Sequence, residues 1–73
     1  MAKAKKTVEF GWVVKHLPTG KYFDDDRDLV VSISEAEQFN HEQDAKNYRD
    51  QIVYHTGFND VEPQKIRVTT EEV

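Results

Sequence analysis

Apolar and polar residues alternate near the start of the chain, in the segment TVEFGWVVKH at residues 7–16. A period of two is typical of a β-strand, because successive side chains of a strand point to opposite faces of the sheet. Val13 and Leu17 would lie on one face. The other face would carry Val8, Phe10, Trp12 and Val14. The pattern therefore predicts a strand with one strongly apolar face.

A turn and a second strand follow this first strand. Pro18 presets φ for the second turn position, and Gly20 can take the left-handed conformation that leads back into a strand at residues 21–23. The segment LVVSIS at 29–34 is rich in β-branched residues and indicates either a third short strand or an irregular segment. Its packing residues would be Leu29, Val31 and Ile33, followed by the inward-facing Ala36 and Phe39.

The clearest helix signal lies at residues 40–57. Asn40 is a favourable N-cap, and Gln43 follows three residues later. Gly57 suits the position just after a last helical turn. An apolar stripe recurs at helical spacing between these ends and consists of Ala45, Tyr48, Ile52 and Val53. This segment is therefore predicted to be the main helix.

A last strand is predicted at roughly 65–70, where Ile66 and Val68 alternate with polar residues. One helix over one small sheet is the simplest way to bury these apolar faces. We therefore predict an α+β fold in the order β-β-(β)-α-β, a small antiparallel sheet of three or four strands with one main helix packed on one face. Residues 7–70 would form this single domain, between a basic tail at 1–6 and an acidic tail at 71–73.

Composition excludes several classes of function. The 73 residues are 37% apolar and 33% charged, which is typical of a single globular domain. The chain has no cysteine, which excludes disulfides and zinc–thiolate sites and favours a reducing cytoplasm. No apolar run approaches the ~20 residues that span a bilayer. The sequence therefore predicts a cytoplasmic protein that does not enter a membrane.

The catalytic motifs that a short sequence can reveal are absent. The chain has no G-x-S-x-G, no H-E-x-x-H and no glycine-rich phosphate loop. His41 and His55 would be separated by roughly 21 Å along the predicted helix, which is too far to share a metal ion. We therefore expect a protein that is not an enzyme and that uses no cofactor.

The acidic segment at 24–35 resembles the calcium-binding loop of EF-hand proteins. Oxygen ligands would fall at loop positions 1, 3, 5 and 12, which here are Asp24, Asp26, Asp28 and Glu35. Leu29 stands where that loop requires glycine, and a turn and a strand precede the segment instead of a helix. Aspartate also favours turns, because its side chain bonds nearby backbone amides. We therefore predict a solvated turn and no metal site, with a cation site as the alternative.

The aromatic strand raises the question of nucleic-acid binding. FGWVV resembles the middle of the RNP1 strand of RNA-recognition domains, whose aromatic side chains stack on bases. Val8 and Glu9 replace the basic residue and glycine that precede that motif. The net charge of −4 also disfavours broad binding to phosphates. We therefore predict that Phe10 and Trp12 pack beneath the helix. The alternative is a nucleic-acid-binding module that uses these aromatics and the basic N-terminus.

A single helix leaves the second face of the sheet without cover. The residues that could form a partner surface there and beside the helix are Val13, Leu17, Tyr54 and Phe58. A contiguous exposed apolar patch marks an interface with another protein or a second copy. We therefore predict binding to an unidentified protein partner or a homodimer, with nucleic acid less favoured. A third possibility is an acidic protein that occupies a nucleic-acid site on its partner. It requires one acidic face, formed by Asp24, Asp25, Asp26, Asp28, Glu35 and Glu37.

Three packing motifs follow one another along residues 8–70. They are Gly20 with Tyr22 at the hairpin, Ala36 with Phe39, and Ala45 within the helix. In this layout the chain resembles small uncharacterised proteins carried by phages and prophages of Gram-positive bacteria. The resemblance implies an accessory protein of a mobile element that acts in the bacterial host cytoplasm. It implies no catalytic residue.

Overall fold

The structure, a computed structural model, describes residues 10–67 and 71–73. Its elements in chain order are β1 (Phe10–His16), β2 (Lys21–Phe23), β3 (Leu29–Val30), a short 3₁₀ helix (Ile33–Glu35), α1 (Glu42–Thr56), β4 (Val61–Arg67) and β5 (Glu71–Glu72). The strands form one antiparallel sheet in the order β3-β2-β1-β4-β5. This confirms the predicted α+β fold class, with strands β1 to β3 before the main helix and β4 after it.

Strand β1 lies at the centre of the sheet. It pairs with β4 along its whole length, from Phe10↔Arg67 to His16↔Val61. On its other side β1 pairs with β2 at Lys15 and His16 only. Further along that side, Trp12 exchanges two backbone hydrogen bonds of 2.8 Å with Phe39, so the segment before the helix continues the pairing.

Strand β4 begins at Val61, several residues before the predicted start near residue 65. Its first half reads Val-Glu-Pro-Gln, which lacks the alternation of apolar and polar residues typical of a half-buried strand. Val61 and Ile66 are the buried residues of this strand. The predicted last residues of the strand, which include Val68, lie outside the described residues.

A buried cluster fills the space between α1 and the sheet. Its fully buried members are Val14, Phe23, Ala45, Ile52 and Val61. Partly buried side chains pack around them, namely Trp12, Leu29, Phe39, Tyr48, Val53 and Phe58. The prediction that Trp12 packs beneath the helix is confirmed. The prediction that Phe10 packs there as well is wrong, since Phe10 is 43% exposed at the start of β1.

The opposite face of the sheet carries a second buried cluster. It consists of Val13, Tyr22, Ile33, Ala36 and Ile66, with Val30 packed against it. Val13 and Val14 point to opposite faces because they are neighbours in a strand, and both are completely buried. The 3₁₀ segment covers this face by contributing Ile33 and Ala36. The face that the sequence predicted as bare is therefore covered by the chain itself.

The two ends of α1 are capped differently, by His41 at the start and by Gly57 at the end. The helix begins at Glu42 with His41 at the N-cap, one residue later than predicted, and no side chain caps it. Asn40 is displaced from the cap because Phe39 is still paired with β1 and the chain must leave the sheet first. At the other end Gly57 has φ 82° and donates its N–H to the carbonyl of Val53 at 3.0 Å.

The C-terminal residues form a short strand where the sequence predicts an acidic tail. In β5, Glu71 pairs with Arg67 and Glu72 pairs with Ile66. Glu72 also meets Lys15 and Tyr22, which are far away in sequence, and this is why local patterning does not reveal the strand. The predicted basic tail at 1–6 lies outside the described residues.

Candidate functional site

The acidic loop connects β2 to β3 as a tight hairpin turn. The N–H of Asp24 donates to the carbonyl of Asp28 at 2.9 Å, and the N–H of Arg27 donates to the carbonyl of Asp24 at 3.1 Å. Arg27 adopts φ 65°, in the left-handed region. This is the common hairpin loop in which a type I turn is followed by one left-handed residue, where glycine is favoured. We call residues 21–31, which are β2, this loop, β3 and Val31, the acidic hairpin.

The side chain of Asp24 organises the loop. Its Oδ1 atom accepts hydrogen bonds from the backbone N–H groups of Asp26 and Asp28, both at 2.9 Å. Asp24 thus has the turn-forming role that the sequence predicts for aspartate in this loop. The carboxylates of the three aspartates offer oxygens that lie within 4.8 Å of one another. Glu35, the fourth ligand of the cation interpretation, lies on the 3₁₀ helix and is not in this group.

The acidic hairpin is anchored to the helix and to the 3₁₀ segment. The hydroxyl of Tyr48 on α1 donates a hydrogen bond to the carbonyl of Asp24. The N–H of Glu37 donates to the carbonyl of Phe23 at 3.0 Å. Burial raises the pKa of Tyr48, and the nearby charges of Asp24 and Glu37 raise it further, against the lowering effect of Arg27. The loop is therefore held in position by α1 and by the segment that follows the 3₁₀ helix.

Charge is strongly segregated along the chain. Residues 24–37 contain six acidic residues and one basic residue, Arg27, which gives this segment a net charge of −5. The remainder of the chain has nine basic and eight acidic residues, a net charge of +1. The net negative charge of the protein therefore comes from residues 24–37, which contain the aspartate loop, β3 and the 3₁₀ helix. Such a concentration of one sign creates a local potential that steers oppositely charged molecules.

The four residues predicted as a partner surface separate into two groups. Leu17 is 53% exposed and Tyr54 is 84% exposed, as a surface role requires. Val13 is completely buried, so it cannot contribute to a surface. Phe58 is half-buried and packs against the rings of His16 and Phe23, with centroids 4.9 and 5.6 Å away.

One exposed apolar residue was not recognisable from the sequence. Val31 directly follows β3 and is 73% exposed, although the pattern predicts that it packs with Leu29 and Ile33. The alternation is broken because the strand ends at Val30 and the chain turns into the 3₁₀ helix. Val31 thus places an apolar side chain at one end of the acidic hairpin.

A polar network lies on the second face of the sheet. The hydroxyl of Tyr22 donates to Oε2 of Glu72 at 2.6 Å, and Nζ of Lys15 lies 2.7 Å from the same oxygen. Burial, together with the hydrogen bond to Glu72, raises the pKa of Tyr22 to about 12. Lys15, followed by Tyr22, lowers the pKa of Glu72. The three groups satisfy one another and fasten β5 to the sheet.

The two aromatics of β1 have different surroundings. Trp12 belongs to the cluster beneath the helix, and the partly exposed ring of Phe10 has Nζ of Lys65 at 4.7 Å from its centroid. The N-terminal lysines of the nucleic-acid alternative lie outside the described residues. Among the histidines, His16 is buried and its Nδ1 lies 2.8 Å from Oγ1 of Thr19, a structural contact within the β1–β2 turn.

No family model, curated protein or solved structure matches this chain. Within residues 10–67 and 71–73, no helix is long and apolar enough to cross a membrane. The resemblance of residues 8–70 to phage and prophage proteins therefore stays a prediction.

Proposed function

We propose that this protein acts without catalysis, by binding a protein partner through the acidic hairpin. The observation that carries the proposal is the segregation of charge, with −5 on residues 24–37 and +1 on the rest of the chain. A surface of this kind attracts a basic partner and increases the rate of productive encounter. The partner is accordingly a protein with a basic surface.

The frame of the hairpin supports a binding role. Asp24 is held by two backbone amides and by Tyr48, while Asp26 and Asp28 point into solvent. Because the backbone that carries these aspartates is already held in place, it loses little conformational freedom when a partner binds. Val31 adds an exposed apolar contact beside them. A basic surface with an apolar spot is the chemistry that complements this arrangement.

The biological setting is proposed on separate grounds. The resemblance of residues 8–70 to phage and prophage proteins supports an accessory role in a mobile element, with a host or phage protein as partner. The absence of cysteine from the whole chain supports a reducing compartment such as the bacterial cytoplasm. Neither point identifies the partner.

A second candidate shares the same surface. An acidic protein that occupies a nucleic-acid site on its partner requires its acidic residues to be grouped, and the charge segregation favours this. Asp24 and Glu37, distant in sequence, both lie near the hydroxyl of Tyr48. Direct nucleic-acid binding is less supported, because Trp12 is packed beneath the helix.

The test compares three immobilised proteins in nuclease-treated lysate of a Gram-positive host. The first is the parent, and the second carries Asp25→Asn, Asp26→Asn and Asp28→Asn. The third is a control with equal loss of charge at exposed positions elsewhere, with Asp44→Asn, Asp50→Asn and Asp60→Asn. Captured proteins are quantified by mass spectrometry.

We expect the parent and the control to enrich the same basic protein and the hairpin variant to lose it. Asp24 is left unchanged because its side chain holds the loop together. Equal capture by all three proteins would contradict binding through the hairpin. Inhibition of the captured protein's own nucleic-acid binding would select the second candidate.

A further inference from the structure

We propose that the partner contributes an extended basic segment that adds as a further strand to the outer edge of β3. This rests on the proposed function, since it specifies the occupant of the same surface and how that occupant is held. β3 is the outermost strand at one end of the sheet, and β2 occupies only one of its two edges.

The backbone of the acidic hairpin shows which groups face outward. Asp24 and Asp28 form a hydrogen-bonded pair at the loop. In antiparallel pairing bonded and non-bonded pairs alternate, so Phe23↔Leu29 is non-bonded and Tyr22↔Val30 is bonded. The N–H and C=O groups of Leu29 therefore point away from β2. Within the described part of the chain, β3 pairs with β2 alone, and no backbone hydrogen bond of a turn or loop involves Leu29 or Val31.

The opposite end of the sheet is protected against a basic strand. There β5 already covers Ile66 and Arg67 of β4. Further along β4, Pro63 has no N–H to donate, a common way of blocking an edge. Lys65 also adds positive charge on this strand. A basic segment therefore meets fewer obstacles at β3.

The edge of β3 has only its shortness and its acidic charge as protection. Residues 28–32 read Asp-Leu-Val-Val-Ser and contain neither proline nor lysine. A proline would block any incoming strand, whereas negative charge repels an acidic strand and attracts a basic one. Asp26 and Asp28 lie at one end of this edge and the exposed Val31 at the other. Alternating basic and apolar side chains complement this pattern.

A second copy of this chain is the less favourable occupant. Pairing β3 with β3 would bring two segments of net charge −5 together. Because β3 has only two residues, few backbone bonds could offset that repulsion. For the same reason, binding of a basic segment depends on charge as well as on backbone pairing.

The test uses two six-residue peptides of alternating lysine and valine, one unmodified and one N-methylated on alternate residues. Both carry the same charge, but the second cannot pair along one edge. ¹⁵N-labelled full-length protein is titrated with each, and amide hydrogen exchange is followed. We expect the unmodified peptide to bind about tenfold more tightly, as loss of one or two backbone hydrogen bonds implies. It should also slow exchange at the Leu29 and Val31 amides.

The outcomes separate this inference from the proposed function. Equal binding of both peptides, with spectral changes confined to residues 24–28, would overturn strand addition and leave the acidic hairpin as a charge-based surface. No binding of either peptide at low salt would also overturn strand addition, while partner capture from lysate still tests the function. Protection of Leu29 and Val31 without peptide, increasing with protein concentration, would assign the edge to a second copy instead.

Discussion

At the scale of single residues, Arg27 occupies a backbone conformation that its side chain does not favour. Its φ of 65° lies in the left-handed region, at the hairpin position where glycine is preferred. The residue is exposed. Its identity is thus not explained by local folding, and it is the one cation within an acidic segment.

Replacing Arg27 by glycine should stabilise the protein. Relief of the left-handed strain outweighs the extra freedom that glycine gives the unfolded chain, so Arg27→Gly should raise the free energy of unfolding by about 0.5–1 kcal/mol. Urea unfolding measures this change. Arg27→Ala is the matched control, because it removes the same charge and keeps the Cβ atom. An equal gain in both variants would show that charge, and not backbone strain, is responsible.

Glu72 makes stability depend on pH. Lys15 and Tyr22 lower its pKa in the folded protein below the ordinary value of 4.5. A carboxyl of this kind contributes its stabilisation above the unfolded pKa and loses it as the pH falls through the folded pKa. Glu72→Gln should therefore destabilise the protein at pH 7, and the difference from the parent should shrink as the pH falls below about 4.5.

Urea unfolding of the two proteins at pH 7 and pH 3 checks this expectation. Asp60→Asn provides a control at an exposed carboxyl. A difference between parent and Glu72→Gln that does not change with pH would contradict the role given to the ion pair between Glu72 and Lys15.

At the scale of elements, some sequence patterns were sufficient to predict a helix, a strand or a turn of the structure. The 3.6-residue stripe predicted α1, and the alternation before His16 predicted β1, because both elements bury one face against the same cluster. Turn chemistry predicted the reversal at Gly20, which has φ 74°. Each of these signals is local in sequence, and each reflects the contacts that its element makes.

The features that the sequence did not predict depend on contacts between residues that are distant in sequence, or on where an element ends. Strand β5 is held by Tyr22 and Lys15, which lie fifty or more residues earlier, and two glutamates carry no strand signal of their own. The predicted burial of Ile33 and Ala36 is confirmed, but their position over the second face of the sheet could not be predicted, because their segment is irregular and has no periodicity. In the candidate site, the aspartate turn could be predicted from residue type. The exposure of Val31 could not, because it depends on where β3 ends.

The contact between helix and hairpin gives a prediction at this scale. Tyr48→Phe keeps the ring that packs against Phe39, with centroids 5.4 Å apart, but removes the hydroxyl that donates to Asp24. Loss of one partly buried hydrogen bond should lower the free energy of unfolding by about 0.5–1.5 kcal/mol. Amides of residues 24–28 should also exchange faster, as measured by hydrogen exchange.

Tyr54→Phe is the control, because Tyr54 lies on the same helix and is 84% exposed. It should leave both the stability and the exchange rates unchanged. Equal effects of the two substitutions would show that the Tyr48 hydroxyl does not anchor the hairpin.

At the scale of the whole molecule, the two faces of the sheet have different cover and the surface has one strongly charged region. The helix covers one face and the 3₁₀ segment covers the other, so the chain supplies both halves of its own core. The distinctive exposed region is the acidic hairpin, whose loop is held in place by the hydrogen bonds of Tyr48 and Asp24. Recognition by this protein is therefore expected to be electrostatic.

The most direct measurement is the dissociation constant of the captured partner at ~50 mM and ~500 mM salt, where exposed charges are weakly and strongly screened. It is measured for the parent and for the variant with Asp25→Asn, Asp26→Asn and Asp28→Asn. We expect binding to the parent to weaken markedly with salt, and the variant to bind weakly at both concentrations with a smaller response to salt. Equal affinity and equal salt dependence of the two proteins would contradict binding through the acidic hairpin.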